Sequence, residues 1–313
     1  MDQRLRHSDA GRVVPARRRR HPVRALLIAA RPRQWIKNLL VFAAPAAAAV
    51  VGRPVTIGRT AGAAALFCVA ASGVYLVNDS FDVEADRAHP VKRLRPVAAG
   101  ELSGGLARTV GIVALVLAVG GAGLLGGFAL AGVLGAYGVV SVAYSTRLKH
   151  VPVLELACVS SGFVLRALAG GVAARVPLSP WFLVVACAGS LYVALGKRTA
   201  EYRQLGVHRG EHRPALSWYR LAWLQAARWV TAGVTIAAYC LWAIARSATI
   251  DDRAQDGVFI LLSTVPFALA VLALERAFAS GRGGAPEELV LRDRLVQAIG
   301  LAWAVFLLLA LAL

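Results

Sequence analysis

Apolar segments of about 20 residues, separated by short polar segments, follow one another along most of the chain. A helix of about 20 apolar residues is long enough to cross the hydrocarbon core of a bilayer. The pattern therefore predicts nine membrane-spanning helices and an all-α fold. Their approximate bounds are 34–52, 60–80, 104–121, 124–144, 152–173, 180–199, 222–245, 257–278 and 294–313.

The composition supports this membrane assignment. Hydrophobic residues make up 58% of the 313 residues, and the mean hydropathy is +0.61, which is more apolar than a soluble domain of this size. The formal net charge of +18 is compatible with anionic partners such as lipid head groups or soluble phosphates. Nucleic-acid binding is not expected, because the basic residues lie in short segments between apolar spans.

Lysine and arginine residues are concentrated in alternate polar segments, which should therefore lie on the cytoplasmic side of the cell membrane. This orientation puts the N-terminus inside and, after an odd number of spans, the C-terminus outside. We interpret residues 1–32 as a basic cytoplasmic arm and residues 33–313 as one multi-pass transmembrane domain. The basic segments are 1–33, 81–103, 145–151, 200–221 and 279–293.

Three aspartates follow the second apolar span, where its helix should end. If the helix continues, Asp79, Asp82 and Asp86 lie on one face, and Asn78 is one turn from Asp82. Carboxylates at a helix C-terminus are disfavoured by the helix dipole, so a cation should offset them. Oxygen ligands suit Mg²⁺, which commonly shares its shell with substrate phosphates. The cluster predicts a metal–diphosphate site, and the alternative is a solvated helix end paired with nearby arginines and lysines.

A second polar cluster ends the sixth predicted span, at the same membrane face. Lys197 and Arg198 could bind phosphate oxygens directly, and Glu201 lies one turn further along the helix. The alternative for Lys197 and Glu201 is an ordinary helical ion pair. Arg147 and Lys149, after the fourth span, could hold an anionic head group, although cytoplasmic topology explains their charge equally well.

A charge inside a predicted span marks a further candidate. Arg166 lies well within the fifth span, where an arginine costs about 2.5–3.5 kcal/mol on insertion scales and usually lines a polar cavity. Arg213 and Tyr219, in the loop after the sixth span, could donate to phosphate. A transporter is a weaker interpretation, because transport sites tend to lie near the bilayer midplane and these carboxylates lie at one surface.

The first motif, Asn78-Asp79-x-x-Asp82-x-x-x-Asp86 followed by His89-Pro90-x-Lys92-x-x-Arg95-Pro96, resembles the UbiA superfamily of intramembrane transferases. The resemblance covers almost the whole chain from about residue 30. It implies a helical bundle around a central cavity that opens to the cytoplasm. It also implies that Asp79, Asp82 and Asp86 hold Mg²⁺ on a substrate diphosphate.

The second motif, Gly196-Lys197-Arg198-Thr199-Ala200-Glu201, stands where aromatic prenyltransferases of the superfamily carry a second aspartate-rich motif. Together with Arg213-Pro214-x-Leu216-x-x-Tyr219 and the stretch at 286–294, it is similar to the branch that uses phosphoribosyl diphosphate. That similarity implies transfer of 5-phosphoribosyl to a polyprenyl phosphate such as decaprenyl phosphate, in cell-wall arabinan synthesis. The alternative is an aromatic polyprenyltransferase of quinone synthesis.

The resemblance assigns roles to individual residues. Asp79, Asp82 and Lys197 are the expected catalytic residues, and Mg²⁺ is the expected cofactor. The sequence leaves the oligomeric state open, a homo-oligomer included. The expected substrate-binding residues are Asn78, Lys37, Lys92, Tyr144, Arg166, Lys197, Arg198, Glu201, Arg213 and Tyr219.

Overall fold

A computed structural model describes residues 21–89, 91–206, 214–248, 254–281 and 286–312. All regular elements in these residues are helical. The α-helices, in chain order, are α1 Pro22–Ala29, α2 Ala43–Ala47, α3 Pro54–Phe81, α4 Val83–Ala88, α5 Gly104–Thr146, α6 Leu154–Ala174, α7 Pro180–Leu205, α8 Pro214–Ser217, α9 Leu221–Ser247, α10 Ala254–Leu262, α11 Thr264–Ala279, α12 Pro286–Arg292 and α13 Arg294–Ala312. The 3₁₀ helices are Pro32–Phe42, Lys92–Leu94 and Leu148–His150.

Six helical segments in the described residues are long and apolar enough to cross a membrane. They are α3, α5, α6, α7, α9 and the segment Gly257–Ala279, which contains most of α10 and all of α11. The last apolar helix is shorter, with an apolar stretch at Arg294–Ala310. The chain is therefore a multi-pass membrane protein. The predicted count of nine spans is not confirmed.

The first predicted span, 34–52, differs most from expectation. It forms the 3₁₀ helix Pro32–Phe42 and the five-residue α2, and not one long α-helix. Arg31 precedes it at a positive φ of 54°, and Ala49 ends it at a φ of 60°. These left-handed residues break the helical path at both ends, because a continuous right-handed helix cannot include them.

The longest helix, α5, is two helices joined by a reversal. Gly127 has φ 71° and ψ −167°, a conformation open only to glycine. A Cβ on Gly138 would lie 3.5 Å from the Leu115 side chain, so residues 104–126 and 128–146 run antiparallel against each other. These two legs correspond to the predicted spans 104–121 and 124–144.

Glycines on both sides make a close backbone contact between α3 and the first leg of α5. A Cβ added to Gly73 would lie 2.6 Å from the carbonyl oxygen of Gly111, and one added to Gly111 would lie 2.7 Å from that of Gly73. Small residues let membrane helices approach in this way. The contact fixes the end of α3, which carries the aspartates, against the rest of the bundle.

We expect Gly73→Ala to destabilise the protein by about 1–3 kcal/mol, because the added methyl group must force the two backbones apart. Gly132→Ala is the matched control, since a Cβ there meets nothing within 4 Å. Thermal unfolding in detergent should show a lower midpoint for Gly73→Ala only. Equal midpoints for the two variants would contradict the close contact.

Candidate active site

A cavity of about 290 Å³ lies between α3, the second leg of α5, α6, α7 and the residues around the first 3₁₀ helix. Its described wall carries four basic side chains and no acidic one, so we call it the basic cavity. The basic residues are Arg31, Lys37, Arg166 and Lys197. The hydroxyl groups in the wall belong to Tyr75, Tyr137, Ser141, Tyr144 and Ser145. This wall suits a ligand that carries several negative charges and hydroxyl groups.

Arg166 is held in place by uncharged partners. Its Nε donates to Asn38 Oδ1 at 2.7 Å, and its Nη2 donates to the Tyr137 hydroxyl at 3.2 Å. Its Nη1 donates to the carbonyl oxygen of Gly162 at 2.5 Å. Arg166 is only 5% exposed, and these partners orient the guanidinium without neutralising it. The positive charge therefore acts on whatever enters the basic cavity.

The three aspartates lie beside this cavity and form what we call the carboxylate edge: Asp79, Asp82 and Asp86. Asp79 is buried, and its Oδ1 accepts from Arg31 and from Arg95, the latter at 3.4 Å. Arg95 also donates to Asp86 Oδ2 at 2.6 Å. The Arg95 guanidinium therefore bonds to both Asp79 and Asp86. Its positive charge offsets the free-energy cost of burying two carboxylates at a helix end.

Asp82 is held separately from the other two aspartates. Lys149 Nζ lies 2.5 Å from its Oδ1, and Asn78 Nδ2 donates to its Oδ2 at 3.1 Å. The condition that would place all three aspartates on one helix face, an unbroken helix through the motif, is not met. Helix α3 ends at Phe81 and α4 begins at Val83, with Asp82 at φ −93° and ψ 12° between them. This break directs Asp82 toward a different segment from the one that holds Asp79 and Asp86.

The carboxylate edge fits a divalent cation that is shared with substrate. Among the described residues, no three acidic, histidine or cysteine side chains come together around one ion position. Mg²⁺ bound with substrate phosphates needs only one or two carboxylates. Asp79 Oδ2 is buried and has no hydrogen-bond partner among the described residues. An oxygen of this kind is a ready ligand for a hard cation.

Arg31 is a site residue that the sequence analysis missed, because it lies in the predicted N-terminal arm. Burial lowers the pKa of its guanidinium, and the charge of Asp79 acts in the opposite direction. Ala29, two residues earlier, packs in a cluster with Leu76 and Leu102. The described part of the predicted arm therefore packs on the bundle. The arm's boundary at residue 33 stays a prediction.

Behind Lys197 lies a buried charge network. Arg198 is 1% exposed, its Nε lies 2.8 Å from Glu155 Oε1, and its Nη1 donates to Glu201. Lys197 faces the basic cavity, whereas Arg198 and Glu201 are not part of its wall. The network ties the start of α6 to α7 and supports the turn that presents Lys197.

The structure brings together five of the predicted substrate-binding residues in the wall of the basic cavity: Lys37, Asn78, Tyr144, Arg166 and Lys197. Others have different surroundings. Lys92 is exposed in the second 3₁₀ helix, and the Tyr219 hydroxyl accepts from the Val153 backbone amide at 2.7 Å. Arg213 lies outside the described residues. The roles given to all these residues stay predictions.

Comparison with known proteins identifies the family. The model of the UbiA prenyltransferase family matches residues 39–283. The chain belongs to the UbiA prenyltransferase family. The resemblance drawn from the two motifs is therefore confirmed at the family level.

Curated relatives within the family match almost the whole chain. A decaprenyl-phosphate phosphoribosyltransferase of Corynebacterium glutamicum is 42% identical over 91% of this chain and 86% of the relative. One of Mycolicibacterium smegmatis is also 42% identical, over 90% of each chain. One of Mycobacterium tuberculosis is 40% identical over 90% of this chain and 92% of the relative.

Solved structures of the family share the fold. A UbiA homologue from Archaeoglobus fulgidus, described as bound to GPP and Mg²⁺, aligns with a TM-score of 0.65 and 17% identity. That alignment covers 92% of this chain and 98% of the homologue. A homologue from Aeropyrum pernix K1 gives a TM-score of 0.59 at 17% identity, over 94% of this chain and 98% of the homologue.

The neighbouring residues Lys197 and Arg198 should respond differently to the same substitution. Arg198→Met removes the guanidinium shared by Glu155 and Glu201, and breaking a buried pair in this way costs about 3–5 kcal/mol. Lys197 lies in the cavity wall and outside this buried network, so for Lys197→Met we expect a much smaller loss of stability and weaker binding of inorganic diphosphate. Thermal unfolding and calorimetric titration test the two effects. A large loss of stability in Lys197→Met alone would reverse the assignment.

Proposed function

We propose that the chain transfers the 5-phosphoribosyl group from phosphoribosyl diphosphate to decaprenyl phosphate, or to a similar polyprenyl phosphate, and releases diphosphate. The observation that carries this proposal is the 42% identity, over 91% of the chain, to a curated decaprenyl-phosphate phosphoribosyltransferase. The chemistry of the site supports it independently.

The charges of the proposed substrates match the basic cavity. The donor carries a diphosphate at C1 and a separate phosphate at C5, and the acceptor lipid carries a third phosphate group. The wall supplies four basic side chains, and guanidinium and ammonium groups bind phosphate oxygens through charge-assisted hydrogen bonds. Its tyrosine and serine hydroxyl groups are suitable partners for the ribose hydroxyl groups. A donor with only one charged end would leave part of this wall unused.

One or two of Asp79, Asp82 and Asp86 would hold a divalent ion together with substrate phosphates, and the Archaeoglobus fulgidus homologue is described as bound to Mg²⁺. When bound, such an ion neutralises negative charge that builds up on the departing diphosphate. Asn78 borders both the carboxylate edge and the basic cavity. It is therefore suited to orient the diphosphate end of the donor against the aspartates.

The cavity residues would carry out the rest of the work by binding and positioning. Lys37, Arg166 and Lys197 hold phosphate groups while the bond between C1 and the diphosphate oxygen breaks. An oxygen of the lipid phosphate forms the new bond to C1. That phosphate is already anionic, so the step requires no strong general base. Attack on the face opposite the leaving group inverts the configuration at C1.

The orientation in the membrane is also part of the proposal. The concentration of basic residues in alternate segments supports a cytoplasmic N-terminus and a cavity that opens to the cytoplasm. The helical segments that are long enough to span a bilayer would then leave the polyprenyl tail in the surrounding lipid while its phosphate enters the cavity.

Incubating purified protein with radiolabelled phosphoribosyl diphosphate, decaprenyl phosphate and Mg²⁺ should yield an acid-labile labelled lipid with inverted C1. A parallel incubation with a radiolabelled prenyl diphosphate and an aromatic acid tests the alternative aromatic prenyltransferase activity. Label recovered only in the aromatic product would overturn the proposal. Retention of configuration at C1 would contradict direct attack by the lipid phosphate.

Asp79→Asn should reduce turnover by at least about 100-fold, because metal stabilisation of a leaving group is worth several kcal/mol. Removal of divalent ions with a chelator should have a similar effect that added Mg²⁺ reverses. Glu84→Gln is the control, since Glu84 is an exposed carboxylate on the adjoining helix α4. Unchanged turnover in Asp79→Asn would remove Asp79 from the metal site.

A further inference from the structure

A buried ion pair joins α9 to α11, away from the basic cavity and the carboxylate edge. Arg228 Nε and Nη2 donate to Glu275 Oε1 at 3.0 Å and 2.6 Å. The two residues are 1% and 4% exposed, and both lie in segments that are long and apolar enough to span the membrane. A charged residue inside a membrane span is costly and by default indicates a functional role. The proposed reaction gives this pair none, because neither residue is part of the cavity wall.

The pair is poorly suited to stabilise the fold. Arg228 Nη1 and Glu275 Oε2 are buried and have no hydrogen-bond partner among the described residues. A buried ion pair of this kind often contributes less stability than apolar side chains of similar volume. Its hydrogen bonds are directional, however, and they fix α11 against α9 in one arrangement. The pair therefore defines a position more than it adds stability.

The face of α11 that carries Glu275 also contacts α7. Phe278 lies three residues after Glu275, on the same side of the helix. Its buried ring packs edge-on against the Tyr192 ring, with 5.5 Å between the centroids. The Tyr192 hydroxyl donates to the carbonyl oxygen of Val271 at 2.9 Å. A Cβ added to Gly196 would collide with the Phe278 ring, so α11 approaches α7 this closely only because residue 196 is glycine.

These contacts set the rotation of α7 about its axis. Tyr192 and Gly196, one turn apart, are the positions in contact with α11. Val193 and Lys197 directly follow them, and both line the basic cavity. Each residue of an α-helix is turned by about 100° from the one before it. A small rotation of α7 would therefore turn Lys197 away from the cavity.

We propose that Arg228 and Glu275 are positioning residues for Lys197. Their ion pair holds α11 where Phe278 packs on Gly196, and this packing keeps Lys197 turned toward the basic cavity. Neither residue of the pair touches substrate. The proposal rests on the proposed function only for what Lys197 binds. The orientation of Lys197 is a property of the fold and can be measured without substrate.

The first measurement separates positioning from stability by thermal unfolding in detergent. Arg228→Met or Glu275→Leu alone leaves a buried unpaired charge and should lower the unfolding midpoint. The double variant should unfold at or above the wild-type midpoint, because apolar side chains replace the whole pair. Arg276→Met is the matched control, since it removes an exposed charge next to Glu275. A double variant that unfolds below the wild type would make the pair a stabilising one and overturn the proposal.

The second measurement reads the orientation of residue 197. Lys197→Cys is introduced into a chain whose four cysteines are replaced by alanine, and its reaction rate with an anionic, water-soluble thiol reagent is measured. The double variant should lower this rate about tenfold, since a minor conformer is populated at about 10% or less. Arg203→Cys, at an exposed position near the end of α7, should react at an unchanged rate. Equal rates at residue 197 with and without the ion pair, including the case in which neither reacts, overturn the proposal.

A further variant changes the helix contact and leaves the ion pair intact. Gly196→Ala pushes Phe278 away from α7 and should slow labelling at residue 197 as the double variant does. Gly189→Ala is the matched control two turns earlier in α7, because a Cβ there would meet only the Thr235 side chain, at 3.4 Å. Unchanged labelling in Gly196→Ala would contradict the proposed route from α11 to Lys197.

Calorimetric titration with inorganic diphosphate separates this proposal from the proposed function. The double variant and Gly196→Ala should both bind diphosphate more weakly than the wild type, in parallel with their slower labelling. Slower labelling with unchanged diphosphate binding would support the positioning role and count against Lys197 as a diphosphate ligand. Neither the labelling nor the unfolding measurement contains a ribosyl donor or a lipid, so both results stand whatever the transferase assay shows.

Discussion

The burial of carboxylates at the end of an apolar helix is the constraint to which the rest of the site is adapted. Asp79 and Asp86 are 2% and 3% exposed, and buried charges of like sign persist only when other groups compensate them. The cations that compensate them are Arg31, before the first 3₁₀ helix, and Arg95, after α4. Lys149, after α5, compensates the neighbouring Asp82. Three connecting segments are thereby fixed to the end of α3.

This arrangement places opposite charges side by side in a small volume. The carboxylate edge attracts cations, and the basic cavity beside it attracts anions. Asn78 touches both, because its amide bonds to Asp82 and its side chain lines the cavity. A ligand with a metal-bound diphosphate at one end and another phosphate elsewhere is complementary to the pair of surfaces together, and to neither surface alone.

Part of this site could be predicted from local sequence. The charge of Arg166 inside an apolar span indicated a cavity, because a membrane helix rarely carries an unneeded arginine. The aspartate spacing indicated a cluster near the end of α3. In the same way, the sequence predicted a boundary between the apolar runs 104–121 and 124–144, close to the actual reversal at Gly127.

Other features depend on contacts that sequence spacing does not encode. Arg31 meets Asp79 from 48 residues away, and Lys149 meets Asp82 from 67 residues away. The break between α3 and α4 could not be predicted from residue type, because no proline or glycine lies at it. Arg198 also could not be separated from Lys197 by residue type, because which of two adjacent cations faces a cavity depends on the rotation of the helix.

The ion pair between Arg31 and Asp79 has a practical consequence for any shortened form of this protein. Hydropathy alone suggests trimming the basic N-terminus up to the first apolar residues. A cut at residue 33 would delete the guanidinium that bonds to Asp79 Oδ1, and it would also delete Ala29, which packs in the cluster around Leu76. Purification tags and fusion partners are therefore better joined upstream of His21, where α1 and its contacts remain intact.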